Sequence, residues 1–139
     1  MDKELENIIK DIDENKLEDL TSSKIKEYKN NILQKMGLEG SMVKKYHKIL
    51  KDYKYVDEID ELIIGRYIRW FNLNDLDNNK LYNGLILTNI EYKNQTIVLI
   101  CKNFRNQFFN IKMNESLIFQ KMTYKEQLLI KILDQIEEK

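Results

Sequence analysis

Proline is absent from this chain of 139 residues, and glycine occurs only four times. Turns must therefore be built from Asn, Asp, Ser and the few glycines. The single cysteine, Cys101, excludes an intramolecular disulfide. With one histidine, His47, there is no Cys/His cluster to hold a structural zinc. Basic and acidic side chains number 23 each, so net charge does not imply a polyanionic partner. The longest apolar run is Ile97 to Cys101, far short of the roughly 20 residues that span a bilayer. The opening residues, Met1-Asp2-Lys3-Glu4-Leu5-Glu6, are acidic and lack the apolar stretch of a secretory signal. These absences give the expectation of a cytoplasmic protein with no membrane contact. Without a secretory route, Asn94-Gln95-Thr96 and Asn114-Glu115-Ser116 read as chance matches to the glycosylation pattern.

Apolar residues make up 42% and charged residues 33%, the composition of a globular chain and not of a disordered one. A chain of this size buries roughly 70% of its unfolded surface and needs no disulfide or metal to fold. Lys, Asn and Ile are abundant, a usage that suits an AT-rich genome.

Residues 1–54 carry helical periodicity. Leu5, Ile8, Ile9 and Ile12 mark one stripe, extended imperfectly by Leu17 and Leu20. Thr21-Ser22-Ser23 offers N-caps for a second helix with the face Ile25, Tyr28, Ile32, Leu33 and Met36. Gly37 is placed to end it in a left-handed conformation. A third stripe runs through Met42, Tyr46, Ile49, Leu50 and Tyr53.

From residue 62 the period shifts to that of strands. Five are expected, over 62–73, 81–90, 96–102, 107–113 and 117–122, with Gly84 marking a bulge or a close backbone approach. Thr123-Tyr124-Lys125-Glu126 is a capping box, followed by the helical face Leu128, Leu129, Ile132, Leu133 and Ile136. An OB-fold places a helix between its third and fourth strands, and Asn103 to Asn106 is too short to hold one. The fold expected is therefore α+β. A helical N-terminal segment over 1–61 precedes a five-stranded antiparallel SH3-like barrel with a C-terminal helix over 62–139. An open sheet packed on the helices is the alternative.

The order Gly65-Arg66-Tyr67-Ile68-Arg69-Trp70, then Asn83-Gly84-Leu85-Ile86-Leu87, then a central apolar strand, then Ile118-Phe119-Gln120-Lys121, resembles uncharacterised SH3/Tudor-like small β-barrel proteins of nucleocytoplasmic giant viruses. The resemblance covers residues 62–122 and departs at Leu85, where a second glycine would stand. It implies a viral source, in host cytoplasm or virion, and no activity.

Catalysis finds no support in the residue pattern. There is no GxxxxGK[ST], GxGxxG or GxSxG. Nothing places a nucleophile or carboxylate beside His47, and Cys101 shares a strand face with Ile97 and Leu99, where a buried thiol is inert. Asp75, Asp77 and Asn79 open like a calcium loop, but Lys80 and Ile86 stand where that loop needs glycine and glutamate. No enzyme, cofactor or metal is expected.

Charge is zero in sum but uneven: net −5 over 1–20, +6 over 21–54, −4 over 55–61, +4 over 62–122 and −1 over 123–139. The basic helical stretch contains Lys24, Lys26, Lys29 and Lys35, then Lys44, Lys45, Lys48 and Lys51. All three arginines, Arg66, Arg69 and Arg105, lie among the strands, interleaved with aromatics such as Trp70 and Phe104. The function expected is a non-catalytic protein-interaction or structural module within a larger assembly, bound to a protein partner or to itself. The apolar helical stripes exceed what a small barrel can cover and supply its surface. Nucleic-acid binding through the Lys stripe and the arginines is the alternative. Candidate binding residues are Arg66, Arg69, Trp70, Phe104, Arg105, Lys44, Lys45 and Lys48.

Overall fold

The computed structural model describes residues 21–74, 80–82 and 84–137. The expected helix over the first 20 residues, the Asp75/Asp77/Asn79 loop and Asn83 lie outside the described residues. The chain divides into two compact units, residues 1–37 with 122–139, and residues 38–121. This division differs from a boundary at 61/62. The C-terminal helix falls with the early helices, and the sheet begins before residue 61.

The described part of the first unit is helical. α1 spans Ser22–Lys35, capped by Thr21, whose hydroxyl accepts from the Lys24 N–H. Gly37 follows with φ +71°, the left-handed terminator the sequence calls for. α3 spans Tyr124–Glu137, and its capping box is formed. The Thr123 hydroxyl accepts from the Glu126 N–H at 3.2 Å, and the Glu126 carboxylate accepts from the Thr123 N–H at 3.1 Å. Ile25 packs with Met122, Leu129 and Ile130 between the two helices. Asp134 ties them further, accepting from the Ser22 backbone N–H and hydroxyl at 3.0 and 2.7 Å. Much of the apolar surplus expected of these stripes is thus spent inside the unit, and Lys29 is itself buried rather than part of a solvated basic stripe.

The second unit holds α2, Gly40–Ile49, and an antiparallel sheet of six strands. The strands are β1 (Tyr53–Val56), β2 (Tyr67–Asn72), β3 (Leu85–Lys93), β4 (Thr96–Lys102), β5 (Phe108–Lys112) and β6 (Ser116–Lys121). Their order is β1-β6-β2-β3-β4-β5. The expected closed five-strand barrel is therefore corrected to an open six-strand sheet. The sixth strand, β1, is hidden in the sequence because Tyr53 continues the helical stripe of Ile49 and Leu50. It pairs with the flank of β6 that β2 leaves open, so β1 and β5 are the two edges.

Strand alternation divides the side chains between two faces. One face gathers Val56, Ile68, Leu85, Leu87, Leu99, Cys101, Ile111 and Ile118, with Leu62 added from the connection after β1. Gln120 lies buried on this face with both ends of its amide satisfied. Its Oε1 accepts from the Ile63 N–H at 2.8 Å and its Nε2 donates to the Glu61 carbonyl at 3.1 Å, clipping the 59–63 connection to the sheet. On the opposite face Tyr46 of α2 meets Phe71 edge-on at 5.1 Å, Phe71 meets Phe119 at 5.9 Å, and Phe119 meets Tyr55 at 5.6 Å. α2 is thereby anchored at one end of that face.

Candidate functional site

The end of the aromatic face beyond this anchor carries a different set of side chains. Tyr53 of β1 stands opposite Lys121 of β6. The Lys121 ammonium lies 5.7 Å from the centre of the Tyr67 ring on β2. Tyr67 stands opposite Ile86 of β3, Ile86 opposite Lys102 of β4, and Lys102 opposite Phe108 of β5. Directly opposed residues of an antiparallel pair project to the same side. The six therefore form one row across the whole sheet, about 24 Å long at the usual strand spacing.

Tyr67 is 47% exposed and Phe108 63% exposed, while Lys121 projects into solvent. The Arg69 guanidinium lies 6.0 Å from the Tyr53 ring centre, one pleat from the row. Arg66 immediately precedes β2 and donates from its guanidinium to the Lys121 carbonyl at 3.4 Å. Gly84 lets the chain run close to these rings. A Cβ added there would meet the Tyr53 hydroxyl at 3.4 Å and the Tyr67 ring at 3.7 Å.

The β4–β5 turn continues directly from Lys102. Asn103 accepts through its side chain from the N–H groups of Arg105 and Gln107, and Asn106 takes φ +60°. At its tip Phe104 is 88% exposed, with the Arg105 guanidinium 5.4 Å from its ring centre. Arg66, Arg69, Phe104 and Arg105 thus stand toward the same end of the strands, the first two beside β1 and β6 and the last two on the β4–β5 turn across the sheet. Trp70 does not join them. It points to the other face, stacked on Tyr82 at 5.1 Å with the rings nearly parallel, beside the aliphatic core. Lys44, Lys45 and Lys48 are exposed on α2. Lys24, Lys26 and Lys35 are exposed on α1 in the other unit, so the helical lysines do not make one stripe within a unit. Sequence reading missed Tyr53, Lys102, Phe108 and Lys121. Only the strand register brings them together.

Cys101 is fully buried, and that burial pushes its thiol up to about 12. His47 is half-buried on α2. The carboxylates of Glu58, Asp60 and Glu61 gather within 4.8 Å of one another, Glu58 and Asp60 exposed. Partial burial holds the Glu61 carboxyl above its usual range, against the pull of Lys54, with Asp57, Glu58 and Asp60 adding to the rise.

No family model, curated protein or solved structure matches this chain. Among the described residues, no helix is long and apolar enough to cross a membrane.

Proposed function

We propose that the chain is a non-catalytic binding module that takes single-stranded nucleic acid on the Tyr53–Phe108 face of its sheet. The supporting observation is the cross-strand row itself, in which Lys121 lies between the Tyr53 and Tyr67 rings and Lys102 lies beside Phe108, with Ile86 between the two groups. Such a surface matches a strand of nucleic acid on both counts, because ammonium and guanidinium groups meet phosphates while rings stack on bases. Binding of this kind is sequence-tolerant, since every base offers a π-face.

The protein-partner reading rests on surplus apolar helical stripes, and the packing of Ile25, Leu129 and Ile130 within their own unit weakens that support.

Labelled single- and double-stranded oligonucleotides, titrated at two salt concentrations, test the proposal. If Arg69, Lys102 and Lys121 meet phosphates, single-strand affinity falls roughly 20-fold between about 50 and 200 mM salt. Tyr67→Ala weakens binding by about 1–3 kcal/mol, the usual value of one stacked base, with an unchanged circular dichroism spectrum. Absence of binding at low salt, or equal losses from substituting Lys44 and Lys48 on α2, would overturn the assignment to this face.

A further inference from the structure

Independently of what the row binds, we infer that the outer edge of β5 is a self-pairing surface, which joins two copies of the chain through an antiparallel β5–β5 contact centred on Asn110. Among the described residues no strand pairs with that edge. The pairing of β5 with β4 runs unbroken from Lys102↔Phe108 to Val98↔Lys112, without the bulge that interrupts β3–β4. This edge is unbroken and carries two exposed phenylalanines, Phe108 and Phe109; of the usual devices that stop edge pairing it has short length and one lysine, Lys112, but neither proline nor a bulge.

The hydrogen-bond alternation fixes the register. The Asn103 N–H donates to the Gln107 carbonyl at 3.1 Å, which makes 103/107 a hydrogen-bonded pair. Two residues further on, 101/109 and then 99/111 are of the same kind, so Phe109 and Ile111 direct their backbone groups to β4. Phe108, Asn110 and Lys112 then direct theirs outward. An antiparallel copy centred on Asn110 uses all three at once. Asn110 meets Asn110 of the second copy, and Phe108 meets its Lys112, with two backbone hydrogen bonds in each pair.

Side-chain chemistry agrees with this register. Phe108 receives the ammonium of Lys112 from the second copy, a cation–π pair repeated by the two-fold axis. On the other face Phe109, 44% exposed, meets Ile111 of the second copy. The surface is self-complementary, as a two-fold interface requires. A register shifted to centre on Phe109 leaves the outward groups of Lys112 unpaired within β5 and loses the Phe108–Lys112 match. These features favour a second copy over an unrelated strand.

The test is light scattering over a concentration series into the millimolar range, combined with cysteine cross-linking of Asn110→Cys. Facing Cα atoms in a hydrogen-bonded antiparallel pair are about 5.5 Å apart, within disulfide reach. The native Cys101 is fully buried and serves as a silent background. A concentration-dependent dimer, with a disulfide formed under mild oxidation by Asn110→Cys and not by Asn89→Cys on β3, is the expected result. A monomer at every concentration overturns the inference. So does a dimer that Asn110→Cys fails to trap, which would locate self-association on another face, or an edge whose amides become protected only with another protein's strand. Phe109→Lys, checked by circular dichroism for an intact fold, is expected to lower the dimer fraction without altering the β4–β5 pairing.

Discussion

Gln120 is polar and uncharged, with no solvent to turn to, and the sheet depends on its amide. Replacing it with Leu strands the Ile63 N–H and the Glu61 carbonyl, and urea denaturation should show a loss of about 1–3 kcal/mol. An unchanged midpoint would mean that water replaces the amide at no cost. Cys101 gives a second prediction, in pH. Its thiol titrates near 12 in the fold against an ordinary 9.0, so above pH 9 the unfolded chain sheds this proton while the folded chain keeps it. Stability is therefore retained below that point and declines as pH climbs through the interval, the alkaline limb of linkage. Tyr55, also held above its usual value by burial, acts in the same direction. In Cys101→Val the decline should be shallower, and superimposable curves would contradict the buried thiol. At this scale part of the site was legible. Alternation alone separates Tyr67 and Arg69 from Ile68 and Trp70, but which face stays open depends on where Tyr46 lands, a tertiary fact. Lys29 stands four residues from both Ile25 and Leu33, so its spacing marks the buried face that its charge disguises.

Elements with a local chemical signature were readable. The capping box of α3 and the left-handed Gly37 after α1 both stand where the residue types require them. Thr123→Ala should cost about 0.5–2 kcal/mol, measured by thermal or urea unfolding, because one N–H of the first turn loses its acceptor. β4 coincides with its expected span, being a continuous β-branched and apolar run. β1 was not legible. Four residues give too short a pattern to set against a helical stripe, and its strand character comes from pairing with β6, more than 60 positions along the chain. That omission also decided the barrel question, since a sheet with an uncounted strand was expected to close on five. The connection before β2 reads as strand on composition alone. Leu62, Ile63 and Ile64 are strand-like in composition, while Gly65 at φ +97° turns the chain.

For the whole molecule, net charge is a poor guide and register a good one. A neutral chain assembles a basic, aromatic row because its sheet orders six strands so that Lys121, Lys102 and the rings align. The same topology is rich in long-range pairing, which slows folding. Trp70, stacked on Tyr82 and the only tryptophan, reports on the sheet. Its fluorescence after dilution from denaturant should recover over milliseconds to seconds rather than microseconds. Microsecond recovery would point to a locally assembled structure and contradict the order β1-β6-β2.

β6, the last of the six described strands in chain order, is an inner one. β1 and β2 are both made before β6, and both need it as a neighbour. At roughly 5–20 residues per second, β1 waits several seconds for β6, its one strand partner among the described residues. During that interval the nascent chain carries the Tyr53–Val56 segment unpaired and one flank of β2 uncovered. During that wait the growing polypeptide is open to chaperones, or to pairing with a neighbouring chain on the same message, until β6 arrives.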